Sequence, residues 1–192
     1  MVVAESGADV DAILDVALTV FAELGLRRAT VDDVAKRAGI GRVTIYRRIG
    51  GKPELIRAVL ARESQRLFAD VSAAAESAGE DPAERIAVSF ATTVAGVREN
   101  PVWQRLLSLE PDTVLPQLTM AGGDVLAAAV TVTIGILDPK AAAAPSPDLT
   151  ARAEVLVRIT HSVLLTSQVA VPLSDFGELA AFARRYLVPI AG

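Results

Sequence analysis

Cysteine is missing from all 192 residues, which removes disulfides and thiolate metal sites from consideration. With a single histidine, His161, there is no histidine cluster and no Glu-x-x-His pair of the kind helical di-metal enzymes use. Aromatic residues make up 4% of a chain that is 52% hydrophobic, so Ala, Val and Leu carry the apolar content. Small aliphatic side chains suit closely packed helices, and the apolar excess predicts a buried cavity, a subunit interface, or both. The longest mostly apolar run, Val125 to Leu137, has 13 residues and includes two threonines. A membrane span needs about 20. No basic residue precedes Arg27, so the start lacks the charged end of a signal peptide, and a cytoplasmic protein without membrane contact is expected.

The two signs of charge nearly balance overall, 19 basic residues against 23 acidic, but not locally. The chain carries −4. Between Arg27 and Lys52, however, eight basic residues face two acidic ones, giving +6 there and −10 elsewhere. A basic patch on an acidic body is the footprint of a small nucleic-acid-reading module attached to a larger domain that does not bind.

Taken in order, Asp11 to Leu24 has helical spacing, with Leu14, Ala17, Leu18, Phe21 and Leu24 on one face, after a frayed polar start over residues 1–9. Thr30 is placed to cap a second helix whose first turn holds Asp32 and Asp33. A turn at Ala38-Gly39-Ile40-Gly41 leads to a third short helix, Arg42 to Arg48. Two short helices joined by a glycine-containing turn form the helix-turn-helix unit, whose second helix fits a DNA major groove.

Gly50-Gly51 break the chain before a long helix from Lys52 to about Ala75. Further helices are expected from Asp81-Pro82 to Arg98, from Pro101 to Leu107, and from about Leu118 to Leu137, the last bent or split at Gly122-Gly123. Pro111 and Pro116 read as interruptions, and residues 138–148 as a linker. A helix from Leu149 to about Val171 and a last one capped by Ser174 complete an all-α chain.

Thr30, Val34-Ala35, Ala38-Gly39-Ile40, Thr44-Ile45-Tyr46, Lys52 and Glu54-Leu55 together resemble the Tet repressor (TetR-like) family of transcriptional regulators. The resemblance covers about 45 residues; beyond them only length and helix number agree. It implies a homodimer with a three-helix helix-turn-helix DNA-binding domain over residues 1–51. Residues 52–192 would then form a helical domain for ligand binding and dimerisation, paired through the last two helices. It also implies repression of a palindromic operator, relieved by a small-molecule effector. Gly41, Arg48 and Ile49 depart from the family pattern, which has a capping Ser or Thr, a His and a Phe there. Gly41 forgoes a side-chain cap, whereas Arg48 keeps a donor and a charge.

On a recognition helix, Arg42, Val43 and Thr44 stand at the front, where base edges are read. Tyr46, Arg47, Arg48 and Lys52 suit phosphates, and Thr30 completes the expected DNA-binding set. The plainer alternative is a solvated basic surface, with Tyr46 as a boundary packing residue. For the effector, Phe90, Trp103 and Met120 are candidate pocket walls, with Arg105, His161 and Gln168 as polar handles. Each aromatic equally suits core packing, and His161 suits a satisfied core or interface position. No cofactor or metal is expected. Two rival classes are an all-α enzyme and a helical scaffold. The enzyme lacks a histidine cluster, a cysteine nucleophile and a phosphate loop, and the scaffold leaves the +6 segment without a role.

Overall fold

The computed structural model describes residues 3–100, 103, 104, 107, 108, 111–119, 122–166 and 168–192. Among them there is no β-strand. The helices are α1 (Val3–Leu24), α2 (Val31–Ala38), α3 (Arg42–Arg48), α4 (Lys52–Ser77), α5 (Pro82–Glu99), α6 (Pro111–Leu118), α7 (Gly123–Leu137), α8 (Pro147–Leu165) and α9 (Phe176–Phe182). After α9 the chain continues through one π turn (Ala183–Leu187) into α10 (Val188–Ala191).

The chain forms two compact units: residues 1–64 with 101–121, and residues 65–100 with 122–192. Helix α4 contributes to both. In the first unit, Ile13, Leu14, Ala17, Val20 and Phe21 of α1 are buried, as are Val31, Val34 and Ala35 of α2, Ile45 of α3, and Leu55 and Val59 of α4. Arg62 of α4 is also buried; it donates to the Asp11 carbonyl at 2.7 Å and pairs with Asp15 at 2.8 Å. A buried guanidinium is tolerated only where carbonyls and carboxylates replace its water; here α1 supplies one of each, and Glu63 of α4 stands 3.7 Å away.

In the second unit, Ile86, Ala87, Phe90, Ala91 and Val94 line one stripe of α5 and pack with Leu156, Leu173, Leu179, Ala183 and Leu187. A smaller cluster joins Val71 and Ala75 of α4 to Ile136 of α7. The π turn directs the Val188 N–H to the Ala183 carbonyl. Within it Arg184 makes a bidentate pair with Glu84, at 2.7 and 2.8 Å.

Several boundaries differ from the sequence expectation. Helix α1 begins at Val3, because extending a formed helix adds one hydrogen bond per residue fixed. Pro111 and Pro116 lie in a helix instead of interrupting one. Pro111 opens α6, and the donor that Pro116 lacks would have served the carbonyl of Asp112, which is exposed to water. The split expected at Gly122-Gly123 is present, with Gly122 at the start of α7, but Leu118 ends α6 and does not open the later helix. Helix α8 starts at Pro147, capped by Ser146, and stops at Leu165, six residues short of Val171. Thr166 turns extended and its hydroxyl donates to the Ser162 carbonyl at 2.6 Å, while Val169 is fully exposed, so the apolar pattern past Leu165 marks no buried face. The last helix is capped by Asp175, one residue beyond Ser174. The short helix expected over 101–107 falls partly outside the described residues; Trp103, Gln104, Leu107 and Ser108 are helical.

Candidate nucleic-acid interface

Local chemistry sets the entry to the helix-turn-helix. Thr30 is extended (φ −120°, ψ 161°), and its hydroxyl oxygen accepts the Asp33 N–H at 3.1 Å. The Asp33 carboxylate accepts the Thr30 N–H at 2.9 Å and the Thr30 hydroxyl at 2.6 Å. This reciprocal box satisfies donors that a helix start leaves open. The Thr30 hydroxyl, then the Thr30 N–H, hold the Asp33 carboxyl below its ordinary range, against a smaller opposing effect of desolvation. A depressed carboxyl contributes stability that is complete above its unfolded pKa and is lost as pH falls through the folded value. Thr30→Ala is therefore expected to cost about 1 kcal/mol at neutral pH, within a range of 0.5–2, and less in strong acid. Urea unfolding of both proteins across acid pH tests this; a constant difference would remove Asp33 from the account.

The turn between α2 and α3 rests on Gly39, at φ +67°. Its N–H bonds the Lys36 carbonyl at 3.3 Å, and the Ile40 N–H bonds the Ala35 carbonyl at 3.1 Å, a Schellman closure. A Cβ on Gly39 would meet nothing within 4 Å, so the cost of Gly39→Ala is purely one of backbone conformation. We expect about 1–2 kcal/mol of destabilisation, read by thermal unfolding. Gly41 then starts α3 with no side-chain cap; its carbonyl accepts the Thr44 N–H at 2.9 Å.

Helix α3 is anchored by Ile45, which is 0% exposed. By the 3.6-residue period, Val43, Tyr46 and Arg47 lie on the face away from Ile45, while Arg42, three residues before Ile45, stands at the edge of that residue's own face. All four are exposed, Val43 to 72% and Tyr46 to 54%. Arg48 is exposed and Thr44 half-buried on the flanks. Two apolar side chains facing water between three arginines make a surface suited to groove edges and thymine methyls. Arg42 stands 3.8 Å from Asp32 of α2, with both side chains 67% exposed.

Lys52, at the start of α4, donates to the Arg27 carbonyl at 2.7 Å and so ties the α1–α2 loop to the end of the α3–α4 turn. The Arg27 guanidinium meets Asp112 of α6 at 3.3 Å. Neither contact is signalled by local sequence, because the partners lie far apart along the chain.

The expected effector residues are not gathered in one place. Phe90 is in the core of the second unit, its ring 5.4 Å from that of Phe182, whereas Trp103 belongs to the first. Arg105 and Met120 lie outside the described residues. His161 is half-buried on α8. Gln168 is in the loop after α8, where its carbonyl oxygen accepts the Leu173 N–H at 2.9 Å and its amide faces the Ser174 hydroxyl at 3.4 Å. Among the described residues, no three His, Cys, Asp or Glu side chains form a group able to hold a metal. No helix among them is long and apolar enough to cross a membrane.

The arrangement of α2, turn and α3 defines a helix-turn-helix module. Residues 13–59 match the family of bacterial regulatory proteins described as the tetR family. An uncharacterized HTH-type transcriptional regulator of Mycobacterium tuberculosis (strain H37Rv) is 31% identical over 183 residues, which cover 94% of this chain and 84% of that protein. In fold, the chain is similar to the TetR family repressor AlkX from Dietzia sp. strain DQ12-45-1b. The TM-score is 0.71 at 18% identity, covering 94% of this chain and 96% of AlkX. The R. erythropolis TetR family repressor QsdR gives 0.67 at 23% identity, covering 97% and 95%. The chain belongs to the TetR family: it is a transcriptional regulator with a DNA-binding helix-turn-helix and a C-terminal helical domain.

Proposed function

We propose that the protein is a homodimeric repressor that binds a palindromic operator and is released by a small, largely apolar effector. Residues 1–51 serve as the DNA-binding domain and 52–192 as the effector and dimerisation domain. The observation that carries the reading is the exposed face of α3, held outward by the buried Ile45. Arg42, Val43 and Thr44 read base edges, while Thr30, Tyr46, Arg47, Arg48 and Lys52 engage phosphates. Repression is the role named for AlkX and QsdR. Pairing through the last helices is supported by Val155 and Tyr186, which stand 43% and 46% exposed there. Effector response runs through α4, which starts at Lys52 beside the recognition helix and continues into the second unit. An effector shifts DNA affinity only if it binds one DNA-module spacing better than another.

The test is an anisotropy titration against DNA upstream of the protein's own gene, repeated over a range of salt. Specific binding with log K falling linearly in log[salt], by about 0.9 per phosphate engaged, supports the regulator. Arg48→Ala should weaken binding to all sequences alike and reduce that slope by about 1. Equal affinity for operator and scrambled DNA would overturn the reading.

A further inference from the structure

Helix α5 carries two buried polar atoms that the described residues leave without a partner. Ser89 is 7% exposed, and its hydroxyl makes no hydrogen bond. Other helical hydroxyls bond back to the carbonyl four residues earlier: Thr93 to Ser89 at 2.7 Å, Ser64 to Leu60 at 2.9 Å and Ser77 to Ala73 at 2.8 Å. Ser89 makes no such bond. One helical turn before it, Arg85 is half-buried with its Nε–H buried and unbonded. Its Nη2 donates only to a neutral acceptor, the Gly135 carbonyl of α7, at 3.2 Å. Among the described residues no carboxylate lies within ion-pair distance of it.

A guanidinium only partly open to water and without an anion loses solvation, and a buried donor left unmade is costly. Here both lie at positions i and i+4 of one helix, about 6 Å apart along its axis and on the same face. A guanidinium edge beside a hydroxyl donor matches the two oxygens of a carboxylate. Ile86, three residues before Ser89, is apolar and buried. We infer that Arg85 and Ser89 form an anion subsite in the effector domain, which takes the carboxylate of an otherwise apolar effector. The assignment of an effector rests on the regulator reading above; the anion subsite itself rests on α5.

The experiment is thermal unfolding of the full chain titrated with sodium acetate, at ionic strength held constant with sodium chloride. Acetamide, the uncharged counterpart of the same shape, is titrated in parallel. Acetate should raise the Tm of the parent by about 3–6 °C at ten times its dissociation constant. Acetamide should not. Arg85→Met should lose the acetate shift, and Ser89→Ala should weaken acetate roughly tenfold. Arg85→Lys keeps the charge without the planar fork and should hold acetate more weakly than the parent. Equal shifts with acetate and acetamide, or an acetate shift that survives in Arg85→Met, overturn the subsite. Operator titration of the parent without acetate is a separate readout. Specific DNA binding without an acetate effect removes the subsite alone. An acetate effect without specific DNA binding keeps the subsite and removes the effector role.

Discussion

Truncating Ile45 to alanine is expected to destabilise the protein by about 2–5 kcal/mol and to take operator binding with it. Ile45 is fully buried, and it is the buried side chain of the seven-residue α3. An isolated helix of that length does not persist in water, so α3 holds its place through tertiary packing. Removing the anchor leaves a cavity and frees the helix that carries Arg42, Val43, Tyr46 and Arg47. Urea unfolding and anisotropy on the same samples measure both losses. Val43→Ala is the control one helical position group away. At 72% exposure it should change stability by less than about 0.5 kcal/mol while altering preference at a thymine-bearing position. If Ile45→Ala kept operator affinity, α3 would not be the reading element.

Arg42→Ala is expected to cost about 1–3 kcal/mol in operator binding, roughly 5- to 150-fold in Kd, with the loss concentrated at one base pair of each half-site. Stability should stay within about 0.5 kcal/mol of the parent, because the Arg42–Asp32 pair is exposed and such pairs contribute little. That weakness is useful. Asp32 stands near the guanidinium in the free protein, and a guanine edge can take it over at small cost. A double-mutant cycle with Asp32→Ala should show coupling in DNA binding and almost none in unfolding. Selection from randomised operators supplies the base-level readout. An unchanged base preference in Arg42→Ala would move specificity to Val43 and Thr44.

The helix-turn-helix was legible because its signals are local. Thr30 and Asp33 stand three residues apart, the spacing of a capping box, and Gly39 supplies the left-handed turn where the apolar period of α2 stops. The departure at Gly41 shows as a helix start without a side-chain cap. The second unit was less legible. Val169 and Val171 continue the apolar pattern of α8 but face water in a loop, and Pro116 sits inside a helix that composition marks as a break. Periodicity reports only that a helix can bury one face. It does not report whether a neighbour is there to cover it.

Chain order alone determined the all-α class, the place of the basic module, and the family to which it belongs. Each follows from spacings within single helices and the turns that join them, over which backbone geometry is nearly fixed by residue type. Tertiary structure decided the rest. It brought Lys52 to the Arg27 carbonyl, Arg62 to Asp11 and Asp15, and residues 101–121 into the unit of the first 64. It also left the Arg85 Nε–H and the Ser89 hydroxyl buried without partners among the described residues. These outcomes depend on which distant groups replace the water lost on burial. That exchange is settled only when the whole chain packs.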